Sequence, residues 1–95
     1  MKKNDMFIKG FKSDSSMMIL SAVRYALGRR TYVVNWTCEF VANNLHLLLP
    51  KDVKIIIRDI KEQERDYSLG DKCDVNDWKR LLIILENHLK EVEKE

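Results

Sequence analysis

Residues that break regular structure are scarce in this 95-residue chain, which has three Gly and one Pro. Their scarcity excludes collagen-like, linker and low-complexity classes and argues against a turn-rich all-β fold. Leu, Ile, Val and Phe together make up about 31% of the residues, well above the roughly 20% below which disorder is expected. The length suits one domain, so we predict that residues 1–95 form a single helical domain.

Metal-binding patterns are absent too. Cys38 and Cys73 are the only two cysteines, and the chain has no CxxC or HxxxH pair. On a helix, Cys73 and His88 would stand about 22 Å apart, too far to share an ion whose ligand bonds are about 2 Å long. The sequence therefore predicts two reduced thiols, no metal and no other cofactor.

Catalytic motifs and membrane segments are missing as well. No GxSxG, Walker, dinucleotide-binding or HExxH pattern occurs, so we expect no enzyme and no catalytic residues. The apolar run that begins at Met17 ends at Arg24, and no segment approaches the ~20 apolar residues of a membrane span. These patterns predict a soluble protein of the cytoplasm, without a membrane partner.

Positive charge is concentrated in the first third of the chain. Residues 1–30 carry seven Lys and Arg against two Asp, although the net charge of the whole chain is only +2. Domains that bind DNA are commonly more basic, with a pI above about 9. Because a net charge of +2 is weak for that role, a small DNA-binding regulatory protein is kept only as an alternative.

Hydrophobic periodicity predicts an all-α fold, a compact bundle of about four helices. Residues 1–12 show no clear period and are expected to form a short irregular arm, flexible or with a short strand. The first helix runs from Ser13–Ser16 to Leu27 and ends at Gly28, where a left-handed residue is favoured. The second helix spans about residues 32–48.

The third helix, which follows Pro50, competes with a strand. Residues 53–60 are β-branched at five of eight positions, but the pattern continues into polar residues 61–64 and favours a helix. A last helix, capped by Asp74 or Asn76, reaches residue 93. Because its apolar row is long for one small core, we predict a homo-oligomer. The row contains Trp78, Leu82, Leu85 and Leu89.

A basic and aromatic segment joins the first two helices. Its candidate ligand-binding residues are Arg24, Tyr25, Arg29, Arg30, Thr31 and Tyr32. The N-terminus of a helix beside arginine side chains forms an anion site, and tyrosine rings offer faces on which a base can stack. In the structural alternative, the arginines cap the first helix, and Tyr25 and Tyr32 pack in the core with their hydroxyls at the rim.

Residues 21–32, SAVRYALGRRTY, resemble a stretch shared by small uncharacterised proteins encoded by phages, prophages and plasmids of Gram-positive bacteria. Asp59-Ile60, Cys73-Asp74 and Asp77-Trp78 match the positions expected in that group, and the similarity covers about residues 17–82. The resemblance implies a mobile-element origin and a bacterial cytoplasm.

Two functions fit these observations. The first is a non-catalytic phage accessory protein that binds an anionic nucleotide or phosphate ligand and blunts host defence. The second is a protein–protein inhibitor of a host defence complex, of the anti-CRISPR type. The acidic residues of this chain are distributed among lysines, which argues against simple DNA mimicry by such an inhibitor. Both anti-defence roles rest on analogy with small phage proteins.

Overall fold

The computed structural model describes residues 2–29 and 32–94. Over these residues the chain forms four α-helices and no strand, which confirms the all-α bundle. The helices are α1 (Lys2–Ala26), α2 (Tyr32–Asn43), α3 (Pro50–Asp66) and α4 (Lys72–Lys94), with a 3-10 turn at Leu45–Leu47. No helix in the described ranges is long and apolar enough to cross a membrane.

The first helix begins at Lys2, so residues 2–12 are helical where the sequence favoured an irregular arm. This segment has no proline and one glycine, Gly10. Starting a helix is costly, whereas adding residues to an existing helix is not. The buried part of α1, from Ser16 onward, supplies the existing helix.

The second helix ends at Asn43, before the predicted end at residue 48. The Asn44 side-chain Nδ2 donates to the carbonyl oxygen of Phe40 at 2.8 Å, and its backbone N–H donates to that of Val41 at 3.1 Å. Such local bonds from an asparagine compete with helical ones. The chain tightens into the 3-10 turn and enters α3 at Pro50, where a missing N–H costs nothing.

The third helix settles the choice at residues 53–60, which are helical. Val53, Ile56 and Ile60 follow helical spacing and are fully buried. Burial of this apolar stripe outweighs the modest preference of β-branched residues for strands.

The fourth helix begins at Lys72, ahead of its predicted caps Asp74 and Asn76. Asp71 Oδ1 accepts the backbone N–H of Asp74 at 3.0 Å, and Asp74 Oδ2 accepts that of Asp71 at 3.3 Å. This reciprocal pair makes Asp71 the cap.

Side-chain contacts show how the helices run. α1 and α3 are parallel, since Ser16 contacts Asp52 and Arg24 contacts Asp59 in the same order. α3 and α4 are antiparallel, while α2 packs between α1 and α4. The ion pairs that join α3 to α4 are Lys54–Glu93, Lys61–Glu86 and Lys79–Glu64. The C-termini of α1 and α3 therefore lie at the same end of the bundle as the N-termini of α2 and α4.

The apolar row of α4 lies inside the core. Trp78 and Leu85 are fully buried, Leu82 is 9% exposed and Leu89 is half-buried. Side chains of the same chain cover this row, so it is not a contact surface for a second copy. This row therefore does not support a homo-oligomer. The homo-oligomer stays a prediction, but no longer on this ground.

Candidate functional site

The α1–α2 junction holds four of the six predicted ligand-binding residues within the described chain, whereas Arg30 and Thr31 lie outside it. Helix α1 ends at Ala26, one residue before the predicted Leu27, and Gly28 just beyond it has a left-handed φ of 84°. Beyond it, the Arg29 N–H donates to the Ala26 carbonyl at 3.0 Å. The turn thus carries Arg29 past the end of α1.

Arg24 joins α1 to α3. Its Nε donates to Asp59 Oδ2 at 3.0 Å, and the Asp59 side chain is only 13% exposed. Arg58 Nη2 donates to the other oxygen of the same carboxylate at 3.3 Å. Arg24 is therefore already paired with a carboxylate, and this ion pair joins α1 to α3.

Arg29 is arranged differently. Its guanidinium carbon lies 4.2 Å from the centroid of the Tyr25 ring, a cation–π contact. No carboxylate within the described ranges pairs with Arg29. Because stacking uses the face of the guanidinium, its N–H donors stay available for a ligand. Tyr25 itself is 60% exposed.

Tyr32 and Trp36 form the other half of the junction. Their ring centroids are 5.9 Å apart, and the side chains are 70% and 68% exposed. Phe40, one turn further along α2, is 47% exposed. Tyr25 and Tyr32 thus do not pack in the core, contrary to the structural alternative. Trp36 and Phe40 were not among the predicted ligand-binding residues, although steps of four from Tyr32 to Trp36 and from Trp36 to Phe40 place all three on one helix face.

A cavity of about 320 Å³ lies between α2 and α4, and sequence reasoning missed it. Asn35 Nδ2 donates to Asp77 Oδ2 at 3.5 Å and closes one end. The polar lining of the cavity comprises Asn35, Glu39, Asn43, Asp77 and Arg80. The apolar lining comprises Cys38, Ala42, Leu81 and Ile84. The available signal was a row of polar residues on α2, Asn35, Glu39 and Asn43, spaced four apart. The small residues Cys38 and Ala42 lie beside this row.

Burial raises the pKa of the Cys38 thiol to about 12, and the negative charges of Asp77 and Asp74 act in the same direction. Both effects disfavour the thiolate. The thiol in the cavity wall is therefore uncharged at neutral pH and does not act as a nucleophile.

We expect the native protein to show one reactive thiol per chain. At pH 8, a thiol of pKa about 12 is ionised in about one molecule in ten thousand, so buried Cys38 reacts only after unfolding. Cys73 is exposed and reacts first. Titration with a disulfide reagent, with and without denaturant, measures both. Rapid labelling of Cys38 in a folded Cys73→Ser variant would contradict the assignment.

The same raised pKa makes stability depend on pH. The unfolded chain loses the Cys38 proton near its ordinary pKa of 9.0, whereas the folded chain keeps it until about 12. Between these values the unfolded state binds fewer protons, so stability falls as pH rises. Chemical unfolding at pH 8 and pH 10.5 should show a smaller loss for Cys38→Ala than for the wild type. An equal loss would show that Cys38 does not contribute.

A second recess, of about 410 Å³, lies between α1 and α3. Arg24 is its one cationic residue, against three carboxylates from Asp59, Glu62 and Asp66. This excess of negative charge disfavours an anionic ligand there. Among the predicted arginines in the described chain, Arg29 is therefore the better candidate for an anion site.

Within the described residues, no group of three His, Cys, Asp or Glu side chains is placed to hold a metal ion. Comparison with known protein families, curated proteins and solved structures found no match to this chain. The resemblance of residues 21–32 to phage-encoded proteins therefore stays a prediction.

Proposed function

We propose that this chain is a non-catalytic protein that binds an anionic nucleotide or phosphate ligand at the α1–α2 junction. The carrying observation is Arg29, which is stacked on Tyr25 at 4.2 Å and has no carboxylate partner in the described chain. Arg24, Arg58 and Arg65 each hold a carboxylate instead. An arginine presented in this way is ready to take a phosphate with two parallel hydrogen bonds.

The start of α2 adds to this site. The first backbone N–H groups of a helix lack partners within the helix and carry partial positive charge. The exposed rings of Tyr32 and Trp36 lie on the same helix and can stack on a base. Phosphate and base recognition are thus provided by adjacent turns of the chain.

The biological role that we propose, inhibition of a host defence system, rests on the resemblance to phage-encoded proteins. A protein that holds a nucleotide without converting it can lower the free concentration of a host signalling nucleotide. This role needs neither a catalytic residue nor a cofactor, and it places the protein in the bacterial cytoplasm.

Calorimetric titration with mononucleotides and cyclic dinucleotides tests the binding site. Arg29→Gln should weaken binding at least tenfold, and Arg29→Gln/Arg30→Gln more, because one side of a charge pair is lost. Salt should weaken wild-type binding more steeply than that of either variant.

The matched control is Lys54→Gln, which removes one charge near the far end of the bundle, where Lys54 forms an exposed ion pair with Glu93. It should bind as the wild type does, and all variants should keep the melting temperature within a few degrees. Unchanged affinity in Arg29→Gln, or no nucleotide binding by the wild type, would refute the proposal.

The exposed aromatic side chains favour a second candidate, a protein–protein inhibitor of a host defence complex. Tyr25, Tyr32, Trp36 and Phe40 are 47–70% exposed. At about 150–250 Å² for each aromatic side chain, they expose on the order of 500 Å², at the upper end for a monomer surface. Such side chains dominate binding energies at interfaces. If this function holds, the wild-type protein captures one host protein and Trp36→Ala abolishes that capture. In the nucleotide titration, Arg29→Gln then has the same affinity as the wild type.

A further inference from the structure

The cavity between α2 and α4 has the size of one nucleobase. Its volume is about 320 Å³, at the lower end of the range for ligand sites. A cavity of this size has room for a flat ring system such as a purine base.

The apolar part of the lining suits a flat ring. Cys38 and Ala42 line it from α2, and Leu81 and Ile84 line it from α4. Because the Cys38 thiol stays protonated, this part of the lining carries no charge. A ring that lies against it buries both apolar surfaces and leaves its polar edges toward the rim.

The rim carries opposite charges that do not pair with one another. Arg80 lines the same cavity as Glu39 and Asp77, yet no ion pair joins Arg80 to either carboxylate. Asn35 Nδ2 donates a long hydrogen bond of 3.5 Å to one oxygen of Asp77. A guanidinium and carboxylates thus line one cavity, available to the two edges of a ligand.

We propose that this cavity binds the guanine base of a nucleotide, an inference that rests on the nucleotide-binding function proposed above and assigns the base to the cavity instead of to the exposed rings of Tyr32 and Trp36. Guanine offers O6 and N7 as acceptors to an arginine on one edge. On the other edge, its N1–H and amino group donate to a carboxylate, which only accepts. Arg80 and Asp77 supply these two partners. Adenine has an amino group in place of O6 and no N1–H, so it cannot form the paired hydrogen bonds with either residue.

The position of the cavity agrees with the junction site. Helices α2 and α4 run parallel, and Asn35 and Asp77 mark the end of the cavity nearer their N-termini. Asn35 lies three residues after Tyr32, about 4.5 Å along the helix axis. The cavity therefore begins toward the end of the bundle that carries Arg29.

Calorimetric titration of the full chain with GMP, AMP, guanosine, adenosine and xanthosine tests this inference. We expect at least a tenfold preference for guanine over adenine, with or without the phosphate, as two specific edge contacts provide. Arg80→Leu should remove the preference. Asp77→Asn should reverse it toward xanthosine, because the amide donates to the oxygen that replaces the amino group of guanine.

The results separate the two sites. GMP and AMP of equal affinity, both dependent on Arg29, would overturn the guanine site and leave the proposed function standing. Guanosine binding that needs Asp77 but not Arg29, with no gain from the phosphate, would support the cavity and overturn the junction. If no nucleotide or nucleoside binds the folded wild type, both are refuted. Circular dichroism confirms that each variant folds, and Asp77→Asn keeps the shape of the side chain.

Discussion

Replacing Ser16 by Ala is expected to lower the free energy of unfolding by about 3 kcal/mol, because it leaves a buried carboxylate without its hydrogen-bond donor. Ser16 is fully buried and Asp52 is 3% exposed. The Ser16 hydroxyl donates to Asp52 Oδ2 at 2.5 Å and accepts the backbone N–H of Leu49 at 2.9 Å. Leu49 is the N-cap of α3, and its side chain cannot cap a helix. Ser16 therefore completes the start of α3 from another helix.

Urea unfolding followed by circular dichroism measures this loss. Domains of this length have a stability of about 5–14 kcal/mol, so 3 kcal/mol shifts the midpoint clearly. Ser21→Ala is the matched control, since Ser21 is exposed on the same helix and Ala is the better helix former. We expect the control to be neutral or slightly stabilising. Equal stability of the two variants would show that the buried network contributes little.

A double-mutant cycle assigns the loss to the pair of residues. Once Asp52→Ala has removed the carboxylate, Ser16→Ala no longer strands a buried charge. Its cost should then be smaller than in the wild type by at least 1 kcal/mol. Additive costs would mean that the two side chains act independently.

Gly70→Ala is expected to cost about 3 kcal/mol, for two reasons that add. Gly70 has a φ of 111°, where a side chain is strained by about 1–3 kcal/mol. A methyl group there would also overlap the Asp74 carboxylate and lie 2.8 Å from its Cβ. Asp74 and Asp71 cap α4 through reciprocal hydrogen bonds, so moving Asp74 weakens the cap by about 0.5–2 kcal/mol.

Gly28→Ala is the control for backbone strain alone. Gly28 has a φ of 84°, and the nearest atom to an added methyl group, Gln63 Nε2, is 3.6 Å away. That is an ordinary contact, so the expected cost is about 1–2 kcal/mol from the left-handed backbone. Thermal melting of both variants compares them. If Gly28→Ala is the less stable protein, steric overlap at Asp74 is not the decisive effect.

The helices themselves could be predicted from the sequence because their causes are local. Helical spacing of apolar residues, Gly28 after the first helix and Pro50 at the start of the third act within one or two turns of the chain. Burial of Val53, Ile56 and Ile60 then agrees with the stripe read from the sequence. Where the cause was a single side chain, as with Asn44 at the end of α2, the predicted boundary was wrong by several residues.

The arginine and tyrosine junction was also predictable as a group, since its residues are consecutive. What each residue does was not. Arg24 and Arg29 are five positions apart and both basic. The Arg24 side chain forms an ion pair with Asp59 on α3, whereas the Arg29 guanidinium stacks on the Tyr25 ring. The difference arises from the packing of α3 beside α1, which no local pattern specifies.

The sequence by itself determined that four amphipathic helices would form, although the predicted start of α1 and end of α2 were wrong by several residues. Only the tertiary structure decided which faces are covered, as Trp36 and Trp78 illustrate. Both lie on apolar helical rows, yet Trp36 is 68% exposed and Trp78 is fully buried. Periodicity shows which residues share a face, but not which face meets a neighbouring helix. The Ser16–Asp52 bond and the cavity beside Asp77 join residues 36 and 42 positions apart, and such contacts depend on the arrangement of the helices around a common core.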